Sequence, residues 1–151
     1  MTQNDKKMKK SVALIILFSI VVVCNAQISI SSSQLAGTRW TLKGDNKVIK
    51  DTVEYTSTKE VLKDYLPTFK KTIVHKREYY LSETTDTIFD KTKVGKQTYG
   101  CYLITYNEKN QECSYFKIIK FNLQEEEFIL YRPSRYDMDS NSGNLIYKLI
   151  Q

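Results

Sequence analysis

Few residues in this 151-residue chain have both the type and the spacing that chemistry requires. His75 is the single histidine, which removes multi-histidine metal sites and leaves a histidine-based triad without support. It lies in an alternating run, residues 71–82, where Ile73, His75, Arg77, Tyr79 and Leu81 share one face of an extended strand. Thr72, Val74, Lys76, Glu78 and Tyr80 share the other. On the first face a histidine reads as a hydrogen-bonded core residue or as part of a cavity lining. No Gly-x-Ser-x-Gly elbow, phosphate-binding loop or dinucleotide fingerprint occurs.

Cys101 and Cys113 stand 12 positions apart in a hairpin whose polar loop covers residues 107–112. Directly opposed cysteines would centre the turn on Asn107, whereas the loop centres nearer Lys109, so a disulfide needs a bulge to meet its geometry. A disulfide and two separate thiols both stay open. A catalytic thiol would need an adjacent base, and His75 is distant. Asp137-Met138-Asp139-Ser140-Asn141-Ser142-Gly143 places oxygen ligands at alternate positions, as a calcium loop begins. Its glycine comes one place late, and the twelfth position is Lys148 instead of a bidentate glutamate. The same residue types are the usual turn formers, so a polar hairpin loop is the reading taken. Glu125, Glu126 and Glu127 read as a solvated turn, because catalytic carboxylates must face one another across a cleft. No catalytic residue, metal or cofactor is expected.

The N-terminus directs the next inference. Lys6, Lys7, Lys9 and Lys10 precede an apolar run, residues 12–23, interrupted only by Ser19. Cys24-Asn25-Ala26 then offers a cleavage site, so residues 1–26 read as a secretory signal peptide and residues 27–151 as one exported domain. The apolar run falls short of the roughly 20 residues that span a bilayer, so no transmembrane helix is expected after cleavage. Lipid attachment at Cys24 is the alternative; Val23 is bulky where that processing favours a small residue. Met8 begins a shorter signal of the same kind, so the start lies at Met1 or Met8. The expected location is the periplasm or the exterior, or the outer membrane if Cys24 is acylated.

The signal segment holds four of the 23 Lys and Arg and one of the 17 Asp and Glu, which leaves 19 against 16, a net +3. Acids and bases alternate, and no basic stripe suits a nucleic acid. All 11 tyrosines fall after residue 26, with many Thr, Ile and Val, while alanine occurs there only at Ala36. This is strand chemistry. Strands are expected at residues 38–43, 47–57, 71–82, 87–90, 97–106, 113–122, 127–131 and 144–150, with a turn at Gly44-Asp45-Asn46. Residues 60–66 fit helical spacing ahead of Pro67 and read as a short helix or lid. About eight strands joined by short turns predict an all-β, up-and-down antiparallel barrel, with a β-sandwich as the alternative.

Leu35-Ala36-Gly37-Thr38-Arg39-Trp40 resembles the Gly-x-Trp segment that opens lipocalins, here spaced Gly-x-x-Trp. With the strand count and the closing Ile146-Tyr147-Lys148, residues 35–150 resemble the small lipocalin-like, calycin-type barrels of secreted Gram-negative bacterial proteins. The resemblance implies structural roles for Gly37 and Trp40, the tryptophan plugging one barrel end. It also implies that a late basic residue, Arg132 or Lys148, packs over that ring, and that the barrel takes a small apolar ligand such as a lipid. Tyr55, His75, Tyr79, Tyr102 and Ile104 are the expected lining. A filled barrel that presents loops to a protein or glycan of the cell envelope is the alternative. The oligomeric state has no signal in the sequence.

Overall fold

The computed structural model describes residues 28–43, 51–133 and 143–151. The expected signal peptide with Cys24, the expected turn at residues 44–46 and the calcium-like run at residues 137–142 lie outside the described residues. In chain order the elements are β1 (Ile30–Ser31), the one-turn helix α1 (Ser32–Leu35), β2 (Arg39–Leu42), β3 (Thr52–Tyr55), β4 (Lys59–Leu66) and β5 (Lys71–Ser82). They continue with β6 (Tyr99–Gly100), β7 (Tyr102–Asn107), β8 (Glu112–Asn122), β9 (Glu127–Arg132) and β10 (Gly143–Leu149). Among the described residues, β2, β3, β4, β5, β7, β8, β9 and β10 close into one antiparallel barrel, each pairing with the next and β10 returning to β2. The closing pairs are Leu42 with Tyr147 and Trp40 with Leu149. The up-and-down barrel therefore stands in place of a sandwich, and β1 and β6 form a separate two-stranded sheet.

Two of the barrel's expected parts change places. Residues 60–66 form most of β4 and not a helix or lid, while residues 87–90 form no strand. Val61, Leu62, Tyr65 and Leu66 satisfy helical spacing, but Glu60 and Leu62 also alternate with Val61 and Lys63 along a pleat. Pairing with both β3 and β5 decides the matter in favour of the strand. Pro67, which lacks an N–H, then opens a 3-10 turn at Pro67–Phe69.

The expected strand at residues 97–106 breaks at Cys101. Gly100 pairs with Ile30, and the ladder to β8 begins at Tyr102. A Cβ on Gly100 would lie 2.0 Å from the backbone oxygen of Ser82, so only glycine lets these chains pass.

One end of the barrel is capped by the N-terminal segment. Ser31 caps α1 by accepting from Ser33 N, and its own N–H donates to Gln34 Oε1 at 2.9 Å, a reciprocal capping box. Gly37 takes the left-handed φ of +83° that turns the chain from α1 into β2. Thr38 Oγ1 donates to Leu35 O at 2.6 Å and accepts from Trp40 Nε1 at 2.7 Å, tying the helix to the indole. Leu35 and Trp40 are wholly buried.

The Trp40 ring packs against Phe121 and Phe128, at centroid separations of 5.8 and 5.4 Å. Neither expected cation covers it. Lys148 lies opposite Glu127 and bonds its carboxylate at 3.2 Å, on the face of β10 away from Tyr147. Arg132 is four residues along β9 from Phe128, about 13 Å away. The acidic run is the solvated turn expected: Asn122 Oδ1 accepts from Gln124 N and Glu125 N, and Lys120 bridges Glu125 and Glu127.

Candidate functional site

Polar chemistry inside the barrel is concentrated in one row across β3, β4 and β5. The register sets Tyr55 opposite Glu60, and Glu60 opposite Arg77. Strand alternation turns all three inward, because Tyr55 belongs to the core cluster and cross-strand partners share a face. Glu60 is 3 % exposed, and both its oxygens are engaged. Tyr55 Oη donates to Oε1 at 3.0 Å, and Arg77 Nε donates to Oε2 at 2.6 Å. The guanidinium carbon lies 5.8 Å from the centroid of the Phe116 ring, which projects from β8. Among the described residues, the guanidinium's two terminal nitrogens hold no hydrogen bond.

Thr105 completes the arrangement. It pairs with Tyr79, two positions along β5 from Arg77, and shares the inward face of Leu103. It is wholly buried, and its hydroxyl has no hydrogen-bond partner among the described residues. Beneath this row the barrel is filled with rings. Tyr55 meets Tyr79 edge-on at 5.4 Å and Phe128 at 6.2 Å, and Phe128 meets Tyr147 at 6.0 Å. Tyr79 Oη donates to Thr56 O at 2.7 Å.

Electrostatics hold these groups in fixed charge states. Burial, then the Glu60 charge, raises Tyr79 to about 12. The same two causes push Tyr55 and Tyr147 well above the ordinary phenol value. Burial opposes the charge on Arg77, but the Glu60 carboxylate more than offsets it and raises the guanidinium further. The phenols and the guanidinium are therefore all moved away from neutral pH, where a general acid or base works best.

The expected lining separates into three groups. Tyr55 and Tyr79 are buried inside the barrel. His75 lies on the inward parity of β5 but beyond the packed interior; its side chain is 49 % exposed and meets Asp64 at 3.5 Å. Tyr102 and Ile104 are on the opposite face of the wall, because Leu103 and Leu81 are the inward pair and Ile104 pairs with Tyr80.

Ile104 is buried even so, since residues 83–98 form a strap across the outer face. Phe89 stacks on Tyr106 at 4.9 Å and packs tilted against Tyr80 at 5.1 Å. Asp86 Oδ2 accepts from Tyr80 Oη at 2.9 Å and Lys93 Nζ at 3.3 Å. Cys101 and Cys113 are not joined to each other. Cys113 pairs with Tyr106, whereas Cys101 O accepts from Ile118 N, five positions further along β8. That offset, about 17 Å, exceeds disulfide reach.

Glu60, Arg77 and Thr105 were not among the expected site residues. Arg77 did carry a signal, as a cation on an otherwise largely apolar strand face. Glu60 was hidden by the helical reading of its segment. Among the described residues no group of three or more His, Cys, Asp or Glu is placed to hold a metal ion, and no helix is long and apolar enough to cross a membrane. Comparisons with protein-family models, curated proteins and solved structures find no match to this chain.

Proposed function

We propose that this is an exported, non-enzymatic, lipocalin-like protein that binds a small amphipathic ligand inside its barrel, above the aromatic base. The observation that carries the reading is the wholly buried hydroxyl of Thr105, without a partner among the described residues, diagonally across from Arg77 and its ion pair with the buried Glu60. A buried hydroxyl without a partner costs about 1–3 kcal/mol. A ligand oxygen that reaches Thr105 Oγ1 and the terminal nitrogens of Arg77 removes that penalty. The ring-filled base explains why the ligand's polar end, and not a long apolar tail, meets this row. The fixed charge states of Tyr55, Tyr79 and Arg77 support binding over acid–base catalysis.

Native mass spectrometry of protein recovered from its own host tests the reading. A bound small molecule is expected on the wild type and absent from Thr105→Val, which keeps the shape and removes the hydroxyl. The same variant is expected to be about 1 kcal/mol more stable without ligand. A wild type with no bound molecule, or a variant that retains it, overturns the proposal. The second reading is a filled barrel acting as an interaction module. It is favoured by the continuous ring contacts from Trp40 through Phe128 to Tyr55 and Tyr79.

A further inference from the structure

The β4–β5 hairpin is longer than the wall it belongs to. Among the described residues, β3 pairs with β4 from Glu60 to Lys63, and β7 pairs with β5 from Glu78 to Ser82. Beyond those limits the two strands pair with each other, up to Leu66 opposite Lys71. Near its base, Tyr65 N donates to the side-chain oxygen Asp51 Oδ1 at 3.2 Å.

Among the described residues, the arm exposes apolar side chains beside unpaired cations. Phe69, in the turn at the apex, is 75 % exposed, and Val74 and Tyr65 are exposed behind it. Residues 65–77 contain no acidic residue and four cations. Of these, Arg77 is answered by Glu60 within the barrel. Lys70, Lys71 and Lys76 are exposed, and none has an ion-pair partner among the described residues. A two-stranded ribbon exposing apolar side chains is marginal in water unless something covers it.

The geometry points to an anionic lipid bilayer as the partner: we propose that the arm docks on it, with Phe69 entering the boundary of headgroups and acyl chains and Lys70, Lys71 and Lys76 meeting lipid phosphates. An apolar apex with a tyrosine and lysines behind it follows the depth order of a membrane interface. The charge is complementary to anionic headgroups. A narrow apex also fails to supply the roughly 800 Å² per partner of a stable protein–protein interface, whereas a bilayer demands no matching shape. This proposal stands apart from ligand binding inside the barrel.

The test uses Phe69→Trp in the full chain. The native indole, Trp40, is wholly buried, so quenching by lipid reports residue 69. Because the signal is local, attachment through another segment does not imitate it. With phosphatidylglycerol vesicles at low ionic strength, the emission is expected to shift to the blue and to be quenched by brominated lipid. High salt is expected to reverse both changes.

Adding K70E and K71E is expected to weaken binding at least about 25-fold, from about fivefold per lysine. Since both positions are exposed, melting should not change; K70Q and K71Q replace them if it does. The proposal fails if no shift occurs on phosphatidylglycerol, if phosphatidylcholine gives an equal shift, or if the lysine variants bind unchanged. Retention on a heparin resin with no shift on vesicles would assign the arm to an acidic macromolecule and overturn the membrane docking.

Discussion

Glu60 and Arg77 lie directly opposite one another on adjacent strands, and their side chains meet at 2.6 Å inside the barrel. Glu60 receives a second bond from Tyr55, so its carboxylate has a donor on each oxygen. A buried pair of this kind adds little to stability over apolar residues of the same volume, but removing one partner strands the other. The row thus fixes side-chain positions around Thr105 more than it holds the wall together.

Removing the guanidinium alone, Arg77→Met, is expected to destabilise the protein by about 3 kcal/mol, because the Glu60 charge then lacks its partner. Glu60→Leu combined with Arg77→Met is expected to recover most of that loss. A double-mutant cycle by urea denaturation measures both. Equal losses in the single and double variants would show that the pair, and not an orphaned charge, supplies the stability.

Alkaline pH should weaken the fold through the phenols. Tyr79 is raised to about 12 from its ordinary 10.0, with Tyr55 and Tyr147 moved in the same direction. Their contribution is therefore complete below about pH 10, where the unfolded phenols are still neutral, and is lost as pH rises toward the folded values. Denaturation midpoints are expected to stay level up to about pH 9 and then fall steeply. Absorbance at the tyrosinate band should show these three phenols ionising only as the protein unfolds.

The outer strap should open without the barrel opening. Its brace is Phe89 between Tyr80 and Tyr106, with Asp86 beneath. Burial raises the Asp86 carboxyl, but bonds from Tyr80, Lys93 and Thr84 outweigh it and hold the group below 3.8, so it stays ionised to low pH. Phe89→Ala is expected to speed thiol labelling at Cys113, whose sulfur lies 3.6 Å from Asp86 O, by about tenfold. Melting should fall by only a few degrees. Unchanged labelling would mean that Phe89 does not hold the strap.

The extent to which the sequence disclosed this arrangement depended on whether a segment's pattern allowed one period or two. β5 matches its expected limits, residues 71–82, because twelve residues alternate cleanly and helical spacing does not fit them. Residues 60–66 fitted both periods, and only pairing with β3 and β5 separates them. Ile88 and Phe89 read as strand residues, yet Ile88 is exposed and Phe89 packs on the outside of the wall. Tyr102 and Ile104 lie on the outer face, because alternation says which residues share a face, not which face is inside. The break at Cys101 and the register against β5 decide that, and both are tertiary facts. The Glu60–Arg77–Tyr55 row was illegible for the same reason, since it exists only through the registers of three strands.

The seam between β2 and β10 has a kinetic consequence. Trp40 pairs with Leu149 and Leu42 with Tyr147, partners separated by roughly a hundred residues of chain. Contacts so remote in sequence form slowly, because the loop entropy is lost before the ladder is gained. No growing or truncated chain without its last strand can complete the cylinder. The indole meets its ring partners only when Phe121 and Phe128 arrive on β8 and β9. Tryptophan emission in a refolding experiment therefore reports the arrival of β8 and β9 over β2, the step that precedes closure by β10.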